Sequence, residues 1–232
     1  EINNGLWDDI SFDKLILSTK FNNRRLEPFN LDVETPSGLM RSNGWCNIGL
    51  PADSLLFIAE DSLNFSIAFD KFDLLKVNKY FPWGFETRGV LNGVAEINGT
   101  ANDIEIIGNI DIQNPGFDKI DGKSISSEFA YRNNQLDFSK ILLATEGGRY
   151  SGFGDIPIDL DLIFQDELQV NQIPIDFVFT GLTNNFELLP SYFPLIDSIK
   201  GIPSEGIANS LNIILEITGN LNNPVRNGEL II

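Results

Sequence analysis

The chain has 232 residues, 42% hydrophobic and 21% charged, a balance that supports a packed core without disulfides or metals. It contains no histidine and a single cysteine, Cys46, which excludes histidine acid–base chemistry, Ser-His-Asp and Cys-His nucleophiles, intrachain disulfides and Cys- or His-based metal clusters. The formal charge of −17 has the wrong sign for a phosphate backbone, so no nucleic-acid partner is expected, and attraction to an anionic membrane surface is disfavoured.

No stretch approaches ~18 consecutive apolar residues, so none reads as a membrane-spanning helix, and none reads as a secretory leader. The chain opens on Glu1 rather than Met and closes on the strand-like Glu229-Leu230-Ile231-Ile232, as expected of a segment of something longer.

Taken in chain order, short apolar runs alternate with asparagine-rich steps such as Asn133-Asn134, which favour tight turns because Asn tolerates positive φ. Asp8, Asp9 and Asp13 read as a solvated acidic start. Cys46, after Trp45 in a strand-like run, reads as a small buried hydrophobe rather than a nucleophile. Leu63, Phe65, Ile67 and Phe69 alternate with polar or small residues and predict a strand with one buried face. The run from Phe72 to Phe81 predicts two helical turns stopped by Pro82.

Ile104, Ile106, Ile110 and Ile112 share a face interrupted by Gly108, followed by a turn at Asn114-Pro115-Gly116. Ile125, Phe129 and Tyr131 share another, with Ser127 between them. Gly147-Gly148 and Gly152-x-Gly154 read as turn geometry; no lysine and helix follow to make a phosphate loop. From Ile156 to Phe164 the even positions (Ile156, Ile158, Leu160, Leu162, Phe164) are apolar, predicting a further strand. Ile173, Ile175, Phe177 and Phe179 predict the next, and Leu211, Ile213, Leu215 and Ile217 another. A second short bend or helix is predicted at Phe186 to Phe193, before Pro194. Strand-sized runs recurring roughly every 8–12 residues are the all-β signal.

The chain also repeats itself. Phe72-Asp73-Leu74-Leu75 and Phe186-Glu187-Leu188-Leu189 each precede a Tyr-Phe-Pro. Asn92 to Ile112 aligns without gaps on Asn212 to Ile232, with identities that include Glu96/Glu216, Gly99/Gly219 and Gly108/Gly228. Upstream, Thr35, Gly38 and Gly44 match Thr145, Gly148 and Gly154. The period is about 110–120 residues. The expectation is one continuous β-repeat array over 1–232, with copies at about 28–114 and 138–232, since no charged or Pro/Ser-rich linker separates them.

A sheet with one apolar face must cover it. A second sheet or closure into a barrel would do so. A strongly curved sheet does so in part and leaves a trough, greasy inside and acidic outside. At about 4.8 Å per strand, roughly sixteen strands would extend on the order of 75 Å. An acyl chain in such a trough needs no polar contact, because each CH₂ leaving water contributes roughly 0.8 kcal/mol.

Gly89-Val90-Leu91-Asn92-Gly93, the alternating residues up to Gly99-Thr100, and Ile106-Ile107-Gly108 resemble a recurrent pattern of the TamB/AsmA-like family (the translocation and assembly module inner-membrane component, repeat region). Leu215-Glu216-Ile217-Thr218-Gly219, Asn223-Pro224 and Gly228 supply it again. The strand–turn–strand of Phe129 to Leu136, the Gly-rich stretch Thr145 to Gly154, and Pro174 to Phe179 with the bend after it are similar to the segments that follow. The resemblance implies an elongated, strongly curved antiparallel or mixed β-taco with a U-shaped hydrophobic groove and few short helices. It implies a periplasmic or envelope location, with an inner-membrane anchor helix that this segment lacks. It also implies phospholipid transport between membranes in outer-membrane biogenesis, or assistance to protein insertion with an outer-membrane barrel partner engaged through parts not present here.

On this reading the segment is not an enzyme, needs no cofactor, and holds phospholipid acyl chains non-specifically. The groove residues are Leu91, Ala95, Ile97, Ile104, Ile106, Ile110, Ile112, Ile125, Phe129, Tyr131, Ile158, Leu160, Leu162, Phe164, Ile175, Phe177, Phe179, Leu211, Ile213, Leu215 and Ile217. One alternative is a structural or adhesive β-sandwich repeat with filled cores. Another is a carbohydrate- or Ca²⁺-binding β-protein using Asp155, Asp159 and Asp161 or Trp7, Trp45 and Trp83; a solvated outer face accounts for the carboxylates, and core packing for the tryptophans.

Overall fold

Two-residue turns set the topology. At Asn133-Asn134 both φ values are positive (52° and 57°), the conformation that lets a two-residue loop join strands with the native twist. Asn23-Arg24 repeats it with φ of 48° and 64°. Such loops join sequence neighbours as antiparallel partners, while longer connections join β4 to β5, β5 to β6, β11 to β12 and β12 to β13.

The structure is a computed structural model. It describes residues 1–7, 10–47, 62–77, 87–100, 103–117, 120–146, 148–159, 173–183, 211–220 and 223–231. The strands are β1 (Ile2–Trp7), β2 (Ile10–Asn22), β3 (Arg25–Thr35), β4 (Gly38–Asn47), β5 (Ser62–Asp73), β6 (Thr87–Thr100) and β7 (Asp103–Phe117). They continue with β8 (Ile120–Asp121), β9 (Ser124–Arg132), β10 (Gln135–Ala144), β11 (Gly148–Pro157), β12 (Asp176–Thr183), β13 (Leu211–Asn220) and β14 (Asn223–Ile231). All belong to one sheet whose order follows the sequence, with only the short β8 off the path beside β7. Every pairing is antiparallel. β1 and β14 do not pair, so the sheet is open.

The expected all-β, curved, single-sheet fold is therefore observed, wholly antiparallel rather than mixed. Among the described elements, extensive contacts run only between sheet neighbours and from the one-turn helix α1 (Leu74–Val77) to β6. No second sheet packs on the first among them. Register shifts place an extra residue in β3, β5, β7 and β10, bulges that bend strands and raise local twist.

Several expectations need correction. Phe72 and Asp73 end β5 rather than open a helix, and among the described residues helix covers Leu74–Val77. The rest of that expected helix, and the second one at 186–193, lie outside the described residues. Asn114-Pro115-Gly116 is not a turn. Asn114 takes a φ of 50°, and β7 kinks there but runs on to Phe117. Gly148 closes the hairpin after Thr145, whose amide donates to the Gly148 carbonyl, as the turn expectation has it. Gly152 and Gly154 instead lie inside β11, because the Phe179 and Phe177 rings rather than a reversal require their lack of a Cβ. The strand expected from Ile156 stops at Pro157, whose ring removes a ladder donor. The Ile158 amide instead donates to the Asn134 carbonyl at the β9–β10 turn. Ile158 and Asp159 thus lie outside any strand, and 160–172 lie outside the described residues.

Candidate functional site

Directly paired residues in a sheet project to the same face. Following the register across the sheet therefore traces rows of side chains. One row runs Leu17, Leu31, Ser42, Ile67, Ala95, Gly108, Phe129, Phe138, Gly154, Phe177, Ile217 and Arg226. The row on one side holds Phe29, Gly44, Phe65, Ile97, Ile106, Tyr131, Leu136 and Ile156. On the other side lie Val33, Met40, Phe69, Gly93, Ile110, Ser127, Ile141, Gly152, Phe179 and Leu215. A fourth row links Leu91, Ile112, Ile125, Leu143 and Tyr150. One continuous apolar face thus crosses the molecule.

The opposite face is mixed: it carries carboxylates and amides together with the exposed apolar side chains Val94, Ile107, Leu142, Phe153 and Val225. Its rows hold Glu96, Asp137, Asp155 and Asp176, with the Gln135 amide donating to Asp155 at 3.1 Å. Asn64 and Asn98 hydrogen-bond across β5 and β6 on this face.

Glycine and aromatic residues alternate along the apolar rows, and the rings lie on the glycines. A Cβ on Gly108 would stand 2.7 Å from Phe129 Cζ, and one on Gly44 2.9 Å from Phe65 Cδ1. Gly152, Gly154 and Gly181 lie in the same way under Phe179, Phe177 and Tyr150. Rings two strands apart even meet over an intervening glycine. Phe29 and Phe65 stand edge to face at 5.4 Å across Gly44, and Phe138 and Phe177 at 5.8 Å across Gly154. Their backbones are about 9.5 Å apart, two strand spacings, so these side chains converge as on the inner face of a curved sheet.

Among the described elements the result is an oily floor one layer deep. Tyr131 and Ile175 are buried, Tyr131 with 6% exposure and its hydroxyl hydrogen-bonded to Asn134 at 3.1 Å. Leu91, Ala95, Ile97, Ile104, Ile106, Ile110, Ile112, Ile125, Phe129, Ile158, Phe177, Phe179, Leu215 and Ile217 are all half-buried, neither sealed in a core nor open to water. The register places those on β6, β7, β9, β12 and β13 on the one apolar face; Ile158 stands off the sheet, and Ile175 precedes β12. Leu211 and Ile213 take backbone positions opposite Thr183 and Gly181. Leu160, Leu162 and Phe164 lie outside the described residues.

The face extends well beyond the expected residues. Phe138 and Ile141 escape a period-two reading because Ser139 and Lys140 insert a bulge between them. The same bulge frees the Lys140 carbonyl to accept from the Ser127 hydroxyl at 3.0 Å, which satisfies a buried polar side chain on an apolar row. Towards β1 the face is most open, with Leu17 49% and Phe21 54% exposed.

The other sequence candidates do not assemble. Cys46 is buried in the row between Leu26 and Leu63. Trp45 carries the Arg25 guanidinium at 3.8 Å from its ring centroid. Trp83, Asp8, Asp9 and Asp161 lie outside the described residues, as does the Trp7 side chain. Among the described residues no three His, Cys, Asp or Glu side chains group to hold a metal. No described helix is long and apolar enough to cross a membrane.

Compared with protein-family models, curated proteins and solved structures, the chain finds no match.

Proposed function

We propose that this chain is a non-enzymatic lipid-holding segment, in which the apolar face of the open sheet shields phospholipid acyl chains from water. The observation that carries this reading is a row-by-row apolar face, half-exposed along its length, with no second sheet over it among the described elements. A filled sandwich would seal that face; here Phe, Ile and Leu side chains retain surface that a guest chain can cover, at roughly 25 cal/mol per Å². No directional contact is required, so binding is tolerant of chain type. The TamB/AsmA-like resemblance of its sequence supports reading it as a cell-envelope segment of a protein that moves phospholipid towards the outer membrane. Support of outer-membrane protein assembly through a barrel partner is the second role the resemblance offers.

The test is photo-crosslinking with native mass spectrometry. A benzophenone amino acid at Phe177 or Phe129 should capture phospholipid from phosphatidylethanolamine–phosphatidylglycerol vesicles. The same probe at Phe153, on the opposite face between Gly152 and Gly154, should not. Recovery of the chain free of lipid, or equal capture at Phe153, would refute the proposal.

A further inference from the structure

One residue on the apolar face has the wrong chemistry for an acyl chain. Arg226 in β14 pairs with Ile217, which pairs with Phe177, so it ends the row that also contains Phe138 and Phe129. No register shift interrupts β11 to β14, so the alternation assigns it to that face without ambiguity. Along the four rows between β3 and β14, Arg226 is the one charged residue. In the matching half of the repeat its position is held by Ile106, a half-buried lining residue. An isoleucine position has thus become a cation in the last described strand of the apolar face.

Its surroundings leave that cation available. Arg226 is exposed, and none of the ion pairs among the described residues includes it. This holds in a chain with 33 carboxylate side chains against 16 basic ones. The neighbouring same-face positions in β14 are Pro224 and Gly228, neither of which carries a charge to pair with the guanidinium. A guanidinium presents a planar fork of donors that matches the oxygens of a phosphate.

We infer that Arg226 is a headgroup site, binding the phosphate diester of a phospholipid whose acyl chains lie along the row from Ile217 towards Phe129. This rests on the lipid-holding role proposed above and adds to it a polar end with a preference for phosphate-bearing lipids over uncharged ones.

The experiment compares two probes with identical acyl chains, dioleoylphosphatidylglycerol and dioleoylglycerol, in equilibrium binding to the whole chain and to Arg226→Gln. The unaltered chain should bind the phospholipid about tenfold more tightly than the uncharged lipid. Arg226→Gln should lose that preference and keep its affinity for dioleoylglycerol. Arg226→Lys should retain part of it, and it should weaken with salt. Arg41→Gln, an exposed cation in β4 opposite Asp32 on the other face, should change neither affinity. Equal binding of both lipids by the unaltered chain, or an unaltered preference in Arg226→Gln, overturns the headgroup site and leaves the acyl-chain reading standing. Failure to bind either lipid overturns both. Oleate serves as a third probe: tight, Arg226-dependent binding of the fatty acid but not of the phospholipid would assign the site to a carboxylate and overturn the phosphate assignment.

Discussion

At the residue scale, the glycines of the apolar rows are structural members of the inner face. Gly154 has no room for a Cβ, which would overlap both the Phe177 ring and the Asp176 carbonyl. Only the ring could yield cheaply, so the backbone of β12 would also have to move. Gly154→Ala should therefore cost about 1–3 kcal/mol, read as a lower urea midpoint. Gly228→Ala, at an exposed position of β14 on the same face, should stay within about 0.5 kcal/mol. Equal effects at the two sites would show that the ring-on-glycine contact does not matter. The sequence places these glycines beside alternating apolars but does not distinguish a turn from a strand. A glycine in the left-handed region and a glycine beneath a phenyl ring carry the same letter.

At the element scale, the two halves of the repeat share local devices as well as letters. Gly99 and Gly219 both take positive φ (114° and 94°), each one residue before the closing pair of a two-residue loop, Thr100 with Asp103 and Asn220 with Asn223. Thr35 and Thr145 both turn their hydroxyls into the following hairpin loop: the Ser37 amide donates to Thr35 Oγ1 at 3.0 Å and the Gly148 amide to Thr145 Oγ1 at 3.1 Å. The Phe–Gly–Phe bridges over Gly44 and Gly154 are a third common device. The Asn133-Asn134 turn also has a measurable consequence. Asn134→Ala forces a Cβ-bearing residue without a local hydrogen-bonding group into the left-handed region and removes the acceptor of the Tyr131 hydroxyl. A loss of about 1–2 kcal/mol is expected, whereas Asn134→Gly, which keeps the backbone freedom, should cost less. Thermal melts that rank the two variants in the reverse order would contradict this account of the turn.

At the scale of the whole molecule, a sheet whose strands touch mainly their neighbours is close to one-dimensional. Stability is then a sum of strand–strand interfaces rather than the property of one central core. Hydrogen exchange should be slowest in β6, β7 and β9, which have long registers on both sides, and fastest in β1 and β14, each paired on one side only. Uniform protection across all strands would instead indicate a single cooperative unit. Among the described elements the same one-layer construction leaves the apolar face half-buried, the property on which the proposed lipid holding depends.

The sequence alone determined the strand-forming alternation, the asparagine turns, the repeat and the sidedness of most strands, because these are local consequences of side-chain period and backbone preference. Leu63 to Phe69, Ile104 to Ile112, and Leu215 with Ile217 take the faces that their alternation predicts. Tertiary structure decided what local pattern leaves open. Pairing across strands put Gly152 and Gly154 inside β11, and a bulge in β10 brought Phe138 and Ile141 onto the apolar face out of period. The register of β14 set Arg226 at the end of that face. Each of these depends on which residue stands opposite, and that is fixed by neighbouring strands rather than by neighbours in the chain.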